Sequence, residues 1–252
     1  MISAYFSPLA HPIDAVIFDC DGTLSSIEGI DELANINHVG HIVKQLTQDA
    51  MGISGMTPQL YEKRLTLVRP TQAQVLSAGQ EYIKHQTPDI LQIIQLLYRL
   101  QKVVYIVSAG LLPAVKVLAD FLKIPKENVF AVDIQFNQQG EYHDFDRASP
   151  MTRKNGKREI VFALKKKHNT LAFVGDGLTD YEVYDQVTRF VGYGGAYYRP
   201  NIAALCEYYI KTASMAPLIP FILTEHEMIQ LSTVEKIFYQ QSLVNNKDIK
   251  FA

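Results

Sequence analysis

The chain has 252 residues, 48% of them hydrophobic and 20% charged, with a formal net charge of −2 and a sequence pI near 6.4. That length allows a sizeable core in one or two domains, and the composition excludes disorder throughout. The near-neutral charge gives no global field to attract nucleic acid, and no apolar run is long enough to span a membrane.

The first predicted element is a buried parallel strand over residues 15–18, which ends in Asp19-Cys20-Asp21-Gly22-Thr23. Open α/β sheets bind ligands at the carboxyl ends of their strands. Two carboxylates flanking one residue at such an edge point to a cation and a nucleophile, or to a strand end capped by acids with a turn at Gly22. A polar, helical insertion follows over residues 26–85. Its helices are expected at 31–35, 41–50, 58–68 with Thr57 as N-cap and Pro58 first, and 72–83 with Thr71 as N-cap. A further helix is expected at 88–100, where Ile90, Ile93, Ile94, Leu97 and Leu100 repeat at helical spacing. A strand at 103–107 then leads into Ser108-Ala109-Gly110, read as a turn whose hydroxyl and small residues let backbone N–H groups approach an anion.

Pro113 opens the next helix, and residues 132–145, with Gly140 in a turn, suggest an inserted β-hairpin. Lys157 follows Gly156 at the start of a helix carrying Ile160, Ala163 and Leu164. A strand at 171–174 ends in Gly175-Asp176-Gly177-Leu178-Thr179-Asp180, again two carboxylates delivered into a glycine-bearing turn. This alternation argues a parallel sheet with helices on both faces. The basic run Arg153, Lys154, Lys157, Arg158, Lys165, Lys166 and Lys167 reads mostly as the wet face of an amphipathic helix. Residues 212–252 carry amphipathic material around Ile229, Val234, Ile237 and Phe238, to which the sequence assigns no function. Two cysteines, Cys20 and Cys206, are too few for a disulfide framework, and Cys20 reads as a small buried residue beside the strand. The first residues carry no basic region, and Pro8, His11 and Pro12 interrupt any signal-like core, so cytoplasmic residence is the expectation.

In this order and these strand contexts, residues 19–23, Ser108, Lys157 and residues 176–180 resemble the DxDGT, Ser/Thr, Lys and GDxxxD motifs of the haloacid dehalogenase superfamily. Within it, residues 27–34 (Ile27-Glu28-Gly29 onward), Ala50-Met51-Gly52, Lys63-Arg64-Leu65, Ser108-Ala109-Gly110 and Gly192-Tyr193-Gly194-Gly195 are similar to the phosphoserine phosphatase family, over residues 14–210. Two departures stand out: Ala109 where that family usually has glycine, and Cys20 with Gly22 in the first motif. The resemblance implies an α/β fold, a Rossmannoid parallel sheet flanked by helices. Residues 1–25 and 86–252 would form the core and residues 26–85 an inserted, mainly helical cap, with Gly29 and residues 86–88 as hinge candidates.

The resemblance also implies a Mg2+-dependent phosphomonoester hydrolase working through an aspartyl phosphate on Asp19, with O-phosphoserine as substrate. Another small phosphomonoester, or transfer to an acceptor such as homoserine, keeps the chemistry and changes the substrate; a non-catalytic binding protein is the rival of another class. In this scheme Mg2+ is held by Asp19, Asp176 and the Asp21 carbonyl, with Asp180 orienting its waters or reaching it directly. Asp21 is acid and then base, with a raised pKa. Ser108, Ala109 and Gly110 hold the phosphoryl group, and Lys157 screens Asp19. Arg64 would grip the substrate carboxylate and Glu28 its ammonium, with Met51 and Gly52 shaping the wall, and Thr179 and Arg199 near the phosphate and the cap mouth. The expected partner is a small-molecule phosphomonoester, with no nucleic acid and no membrane, acting as a monomer or homodimer.

Overall fold

The structure, a computed structural model, describes residues 8–49, 57–242 and 249–250. At its centre lies strand β1 (Ala15–Phe18), four apolar residues that are all buried, as a strand covered on both faces requires. Four helices follow: α1 (Gly29–Ile36), α2 (Gly40–Asp49), α3 (Pro58–Val68) and α4 (Gln72–Lys84). The Thr57 side chain accepts from Leu60 N–H at the start of α3, and Thr71 forms a reciprocal capping box with Gln74 on α4. The chain enters and leaves this helical segment by neighbouring paths. Ser26 N–H donates to the His85 carbonyl, Thr87 N–H to the Leu24 carbonyl, and Ser25 bridges Gln86.

The chain then runs through α5 (Ile90–Arg99), β2 (Val103–Leu111), α6 (Leu112–Phe121) and β3 (Val129–Val132) to an antiparallel hairpin of β4 (Ile134–Phe136) and β5 (Tyr142–Phe145). Next come α7 (Gly156–Leu164), β6 (Leu171–Gly175), the short α8 (Leu178–Tyr181), β7 (Arg189–Tyr193), α9 (Pro200–Leu205) and β8 (Tyr208–Ile210). The main sheet has the order β3-β2-β1-β6-β7-β8, all parallel, and β9 (Ile249–Lys250) pairs antiparallel with β8 at the edge. Strand order reverses at β1, with β2 on one side and β6 on the other, which opens a crevice at their carboxyl ends. Register aligns those ends: Phe18 pairs with Ile106 of β2 and with Val174 of β6. Asp19, Ser108 and Asp176 therefore lie within two residues of the same level.

Two expected elements differ in detail. The helix expected from Pro88 starts at Ile90, because Asp89 adopts a left-handed conformation (φ 70°) and Thr87 is tied back to Leu24. Ser108-Ala109-Gly110 is not a turn: β2 continues to Leu111, and the register against β3 shifts between Val107 and Leu111. After β8, α10 (Ile219–Ile222), α11 (Glu225–Ile229) and α12 (Thr233–Ser242) attach to the start of the sheet. A buried Lys102–Glu227 ion pair and an exposed Arg99–Glu235 pair make that attachment. No helix among the described residues is long and apolar enough to cross a membrane.

Candidate active site

Asp19 leaves the end of β1, Asp176 the end of β6, and Asp180 sits in α8. One carboxylate oxygen from each lies within 4.8 Å of the others, and all three side chains are buried. Lys157, at the start of α7, enters this cluster. Its ammonium stands 2.8 Å from Asp19 Oδ1 and 2.5 Å from Asp180 Oδ1. Burial works against the charged lysine, but the Asp180 and Asp19 carboxylates outweigh it and hold its pKa above the usual lysine value. Asp180 Oδ2 also accepts from Gly177 N–H at 2.9 Å, so both its oxygens are engaged by protein donors. Burial and the neighbouring Asp180 charge push Asp19 well above the carboxylate range and Asp176 up to about 7, the latter opposed by Arg199.

Gly22 explains one of the departures in the first motif. Its φ is +70°, which glycine adopts without strain, and a Cβ there would lie 2.7 Å from Asp176 Oδ2. The turn after Asp21 thus packs directly against the neighbouring strand's acid. Cys20 is fully buried, and burial beside Asp21 and Asp19 pushes its thiol far from ionisation.

Asp21 points toward the helical segment. Its Oδ1 accepts from Gly29 N–H and from the Tyr82 hydroxyl, each at 2.6 Å, and its Oδ2 accepts from Ser108 Oγ at 3.4 Å. Burial raises its pKa, and the bonds from Tyr82 and Gly29 restrain the rise. Ser108 is fully buried, and its hydroxyl also accepts from Gly110 N–H at 2.9 Å. The Ala109 carbonyl accepts from the Tyr61 hydroxyl of α3 at 3.0 Å.

A cavity of about 380 Å³ opens over these groups, lined by Asp19, Asp21, Ala109, Gly110, Lys157, Asp176 and Thr179 on the sheet side. From the helical segment it receives Glu28, Arg64, Tyr61 and Tyr82. Arg64 is 5% exposed, too buried for a surface ion-pair partner, and its guanidinium lies 5.4 Å from the centre of the Tyr61 ring. Arg199 caps α9 and bridges two acids, 2.8 Å from Asp176 Oδ2 and 3.9 Å from Glu28. Burial, with the Asp21 and Asp176 charges, pushes Glu28 well above the carboxylate range. Met51 and Gly52 lie outside the described residues.

The basic run divides differently from its sequence reading. Lys157 is buried in the cluster, and Arg153 and Lys154 precede α7 and line the cavity, while Lys165, Lys166 and Lys167 are exposed at the far end of the helix. No sequence motif marks Tyr61 or Tyr82. Val75, Ala78, Gly79 and Tyr82 mark the buried face of α4, and a buried tyrosine hydroxyl needs a partner. That rule was the available signal.

The sheet thus reverses at β1, with two acid-bearing strand ends side by side and a lysine between them. The family model described as haloacid dehalogenase-like hydrolase matches residues 13–183. Phosphoserine phosphatase of Bos taurus is 36% identical over 199 residues, covering 78% of this chain and 88% of its own length. The Homo sapiens enzyme of the same name is 35% identical over 204 residues, 80% of this chain and 91% of its own. The crystal structure of a phosphoserine phosphohydrolase-like protein from Francisella tularensis superposes with a TM-score of 0.75 at 24% identity, covering 84% of this chain and all of that one, which shows the shared fold. The chain belongs to the phosphoserine phosphatase family of the haloacid dehalogenase-like hydrolases.

Proposed function

We propose that the protein hydrolyses a small phosphomonoester, O-phosphoserine, to serine and phosphate, with Asp19 as the nucleophile and Mg2+ as the required ion. The observation that carries this reading is the Asp19 carboxylate at the end of β1, paired with Lys157 and set beside Asp176 and Asp180. The donor set suits a hard divalent cation: buried carboxylate oxygens converge, and burial with the neighbouring Asp180 charge raises the pKa of Asp19 and Asp176 even beside Lys157 and Arg199. Asp19, Asp176 and the Asp21 carbonyl would hold the ion, with Asp180 bracing Lys157 behind them. When bound, Mg2+ neutralises the phosphoryl oxygens that would otherwise repel the nucleophile.

Asp19 attacks phosphorus and forms the acyl phosphate, while Asp21 gives a proton to the departing serine oxygen. Asp21 then takes a proton from the water that cleaves the acyl phosphate. Ser108, Ala109 and Gly110 hold the phosphoryl group, with Thr179 at its edge, and Lys157 favours the ionised form of Asp19 against burial and balances its phosphorylated form. Residues 26–85 act as the cap over a core of residues 1–25 and 86–252, hinged near Gly29 and residues 86–88. Cap closure excludes water during the first half-reaction. Arg64 matches the substrate carboxylate with a planar fork of donors, and Glu28, itself balanced by Arg199, accepts from the ammonium.

The test is phosphate release by purified protein, with and without Mg2+, across phosphoserine, phosphothreonine, phosphoethanolamine and an aryl phosphate. Strong Mg2+-dependent preference for phosphoserine is expected. Activity on the aryl phosphate alone would discard the substrate, and no metal-dependent release would discard the chemistry.

A further inference from the structure

Tyr82 reaches the acid end of the site from α4, a helix that packs along α6 of the core. It is 1% exposed, and a Cβ at position 29 would stand 2.1 Å from its hydroxyl oxygen, so its approach to Asp21 depends on Gly29. We propose that Tyr82 is a positioning residue for Asp21, fixing which carboxyl oxygen delivers the proton; this rests on the phosphatase reading above.

Lone pairs decide which oxygen carries the proton. A backbone N–H can only donate, so the bond from Gly29 commits Asp21 Oδ1 as an acceptor, and the Tyr82 hydroxyl donates into its remaining lone pair. With both acceptor sites of Oδ1 engaged, the proton of the acid form resides on Oδ2. That oxygen faces the phosphate side: it lies 3.4 Å from Ser108 Oγ, and a Cβ at Gly110 would come within 2.9 Å of it. In the first half-reaction the Oδ2–H bond breaks as an O–H bond forms on the ester oxygen. The electrons of the breaking P–O bond stay on that oxygen, and phosphorus bonds to Asp19. In the second, Oδ2 takes the proton of the water whose oxygen bonds to phosphorus as the Asp19 carboxylate leaves.

A phenylalanine would fill the same space as the ring of Tyr82, so packing alone does not call for the hydroxyl. Because Tyr82 belongs to the cap and Asp21 to the core, their contact also couples acid orientation to cap position.

The test is Tyr82→Phe, with steady-state kinetics on O-phosphoserine and on 4-nitrophenyl phosphate, whose stable leaving group needs little help from an acid. General acid catalysis contributes about 10²–10⁴-fold, and loss of alignment removes part of it. The expected result is roughly a tenfold fall in kcat for phosphoserine with KM within about twofold, and little change on the aryl phosphate. Equal losses on both substrates, a change confined to KM, or an unchanged kcat for phosphoserine would each overturn the proposal while leaving the phosphatase reading intact. A wild-type protein unable to hydrolyse phosphoserine would overturn that reading, and this proposal with it.

Discussion

Replacing Lys157 with methionine keeps most of the side chain's volume and removes the one ammonium shared by Asp19 and Asp180. At 2.8 and 2.5 Å, each ion pair is worth roughly 6 kcal/mol of gross attraction at an effective dielectric of about 20. Desolvation of a lysine only 6% exposed offsets much of that. Breaking a buried pair leaves a net loss of about 3–5 kcal/mol, which for a chain of this size lowers Tm by roughly 10 °C. The sign of the pH dependence follows from the shifts. Lys157 has a raised folded pKa, so its stabilisation is present throughout the range below the unfolded lysine value and is lost only as pH rises through the folded one. In the variant, Asp19, whose pKa burial and the Asp180 charge already raise, takes up a proton as pH falls, which relieves its repulsion with Asp180. Thermal melting of metal-free protein should therefore show the variant far below wild type at pH 8 and closer to it at pH 5.5. Phosphate release should fall about 10²–10³-fold, the scale of one lost electrostatic stabiliser. A variant as stable as wild type at pH 8, with undiminished turnover, would refute the account of the cluster.

Arg64→Ala should cut kcat/KM for phosphoserine by about 10²-fold and for a phosphomonoester lacking the carboxylate far less, since a charge-assisted hydrogen bond to substrate contributes about 1.5–3 kcal/mol; equal losses would contradict its assigned role. Asp176, held up to about 7 first by burial and then by Asp180, keeps a proton in the metal-free fold that the unfolded chain releases near 3.8. Metal-free stability should accordingly fall as pH rises from about 4 to 7, and Mg2+ should raise Tm more at pH 8 than at pH 5.5. Equal Mg2+ shifts at both pH values, read by calorimetry, would count against Asp176 as a ligand. Lys102→Met leaves Glu227 buried without its cation, so Tm should drop by roughly 10 °C while kcat stays near wild type. A fall in kcat without loss of stability would show that the C-terminal segment does more than brace the sheet.

The parts of the fold legible in the sequence are those decided within a few residues. The runs ending at Phe18 and Val174 are wholly apolar because both sheet faces are covered, and their acids stand out by contrast. Thr57 with Pro58, and Thr71 with Gln74, announce α3 and α4 because N-terminal capping is local chemistry. What could not be read depends on distant partners. Strand β2 continues past Ser108 because Leu111 pairs with Val132, a residue whose own strand is only four residues long. Asp89 turns left-handed because Thr87 is tied to Leu24, more than sixty residues earlier in the chain. The approach of Tyr82 to Asp21 requires α4 to dock on α6, and no spacing along α4 records that docking. Likewise Arg153 and Lys154 look like their lysine-rich neighbours until the chain before α7 carries them to the cavity.

The measurement closest to the central claim is to quench the protein in acid during turnover of O-phosphoserine with Mg2+ and map the phosphorylated peptide by mass spectrometry. The account predicts one acyl phosphate, on Asp19, absent from Asp19→Asn and from metal-free protein. A phosphoryl group on another residue, or rapid phosphate release by Asp19→Asn with no phosphoenzyme formed, would contradict it.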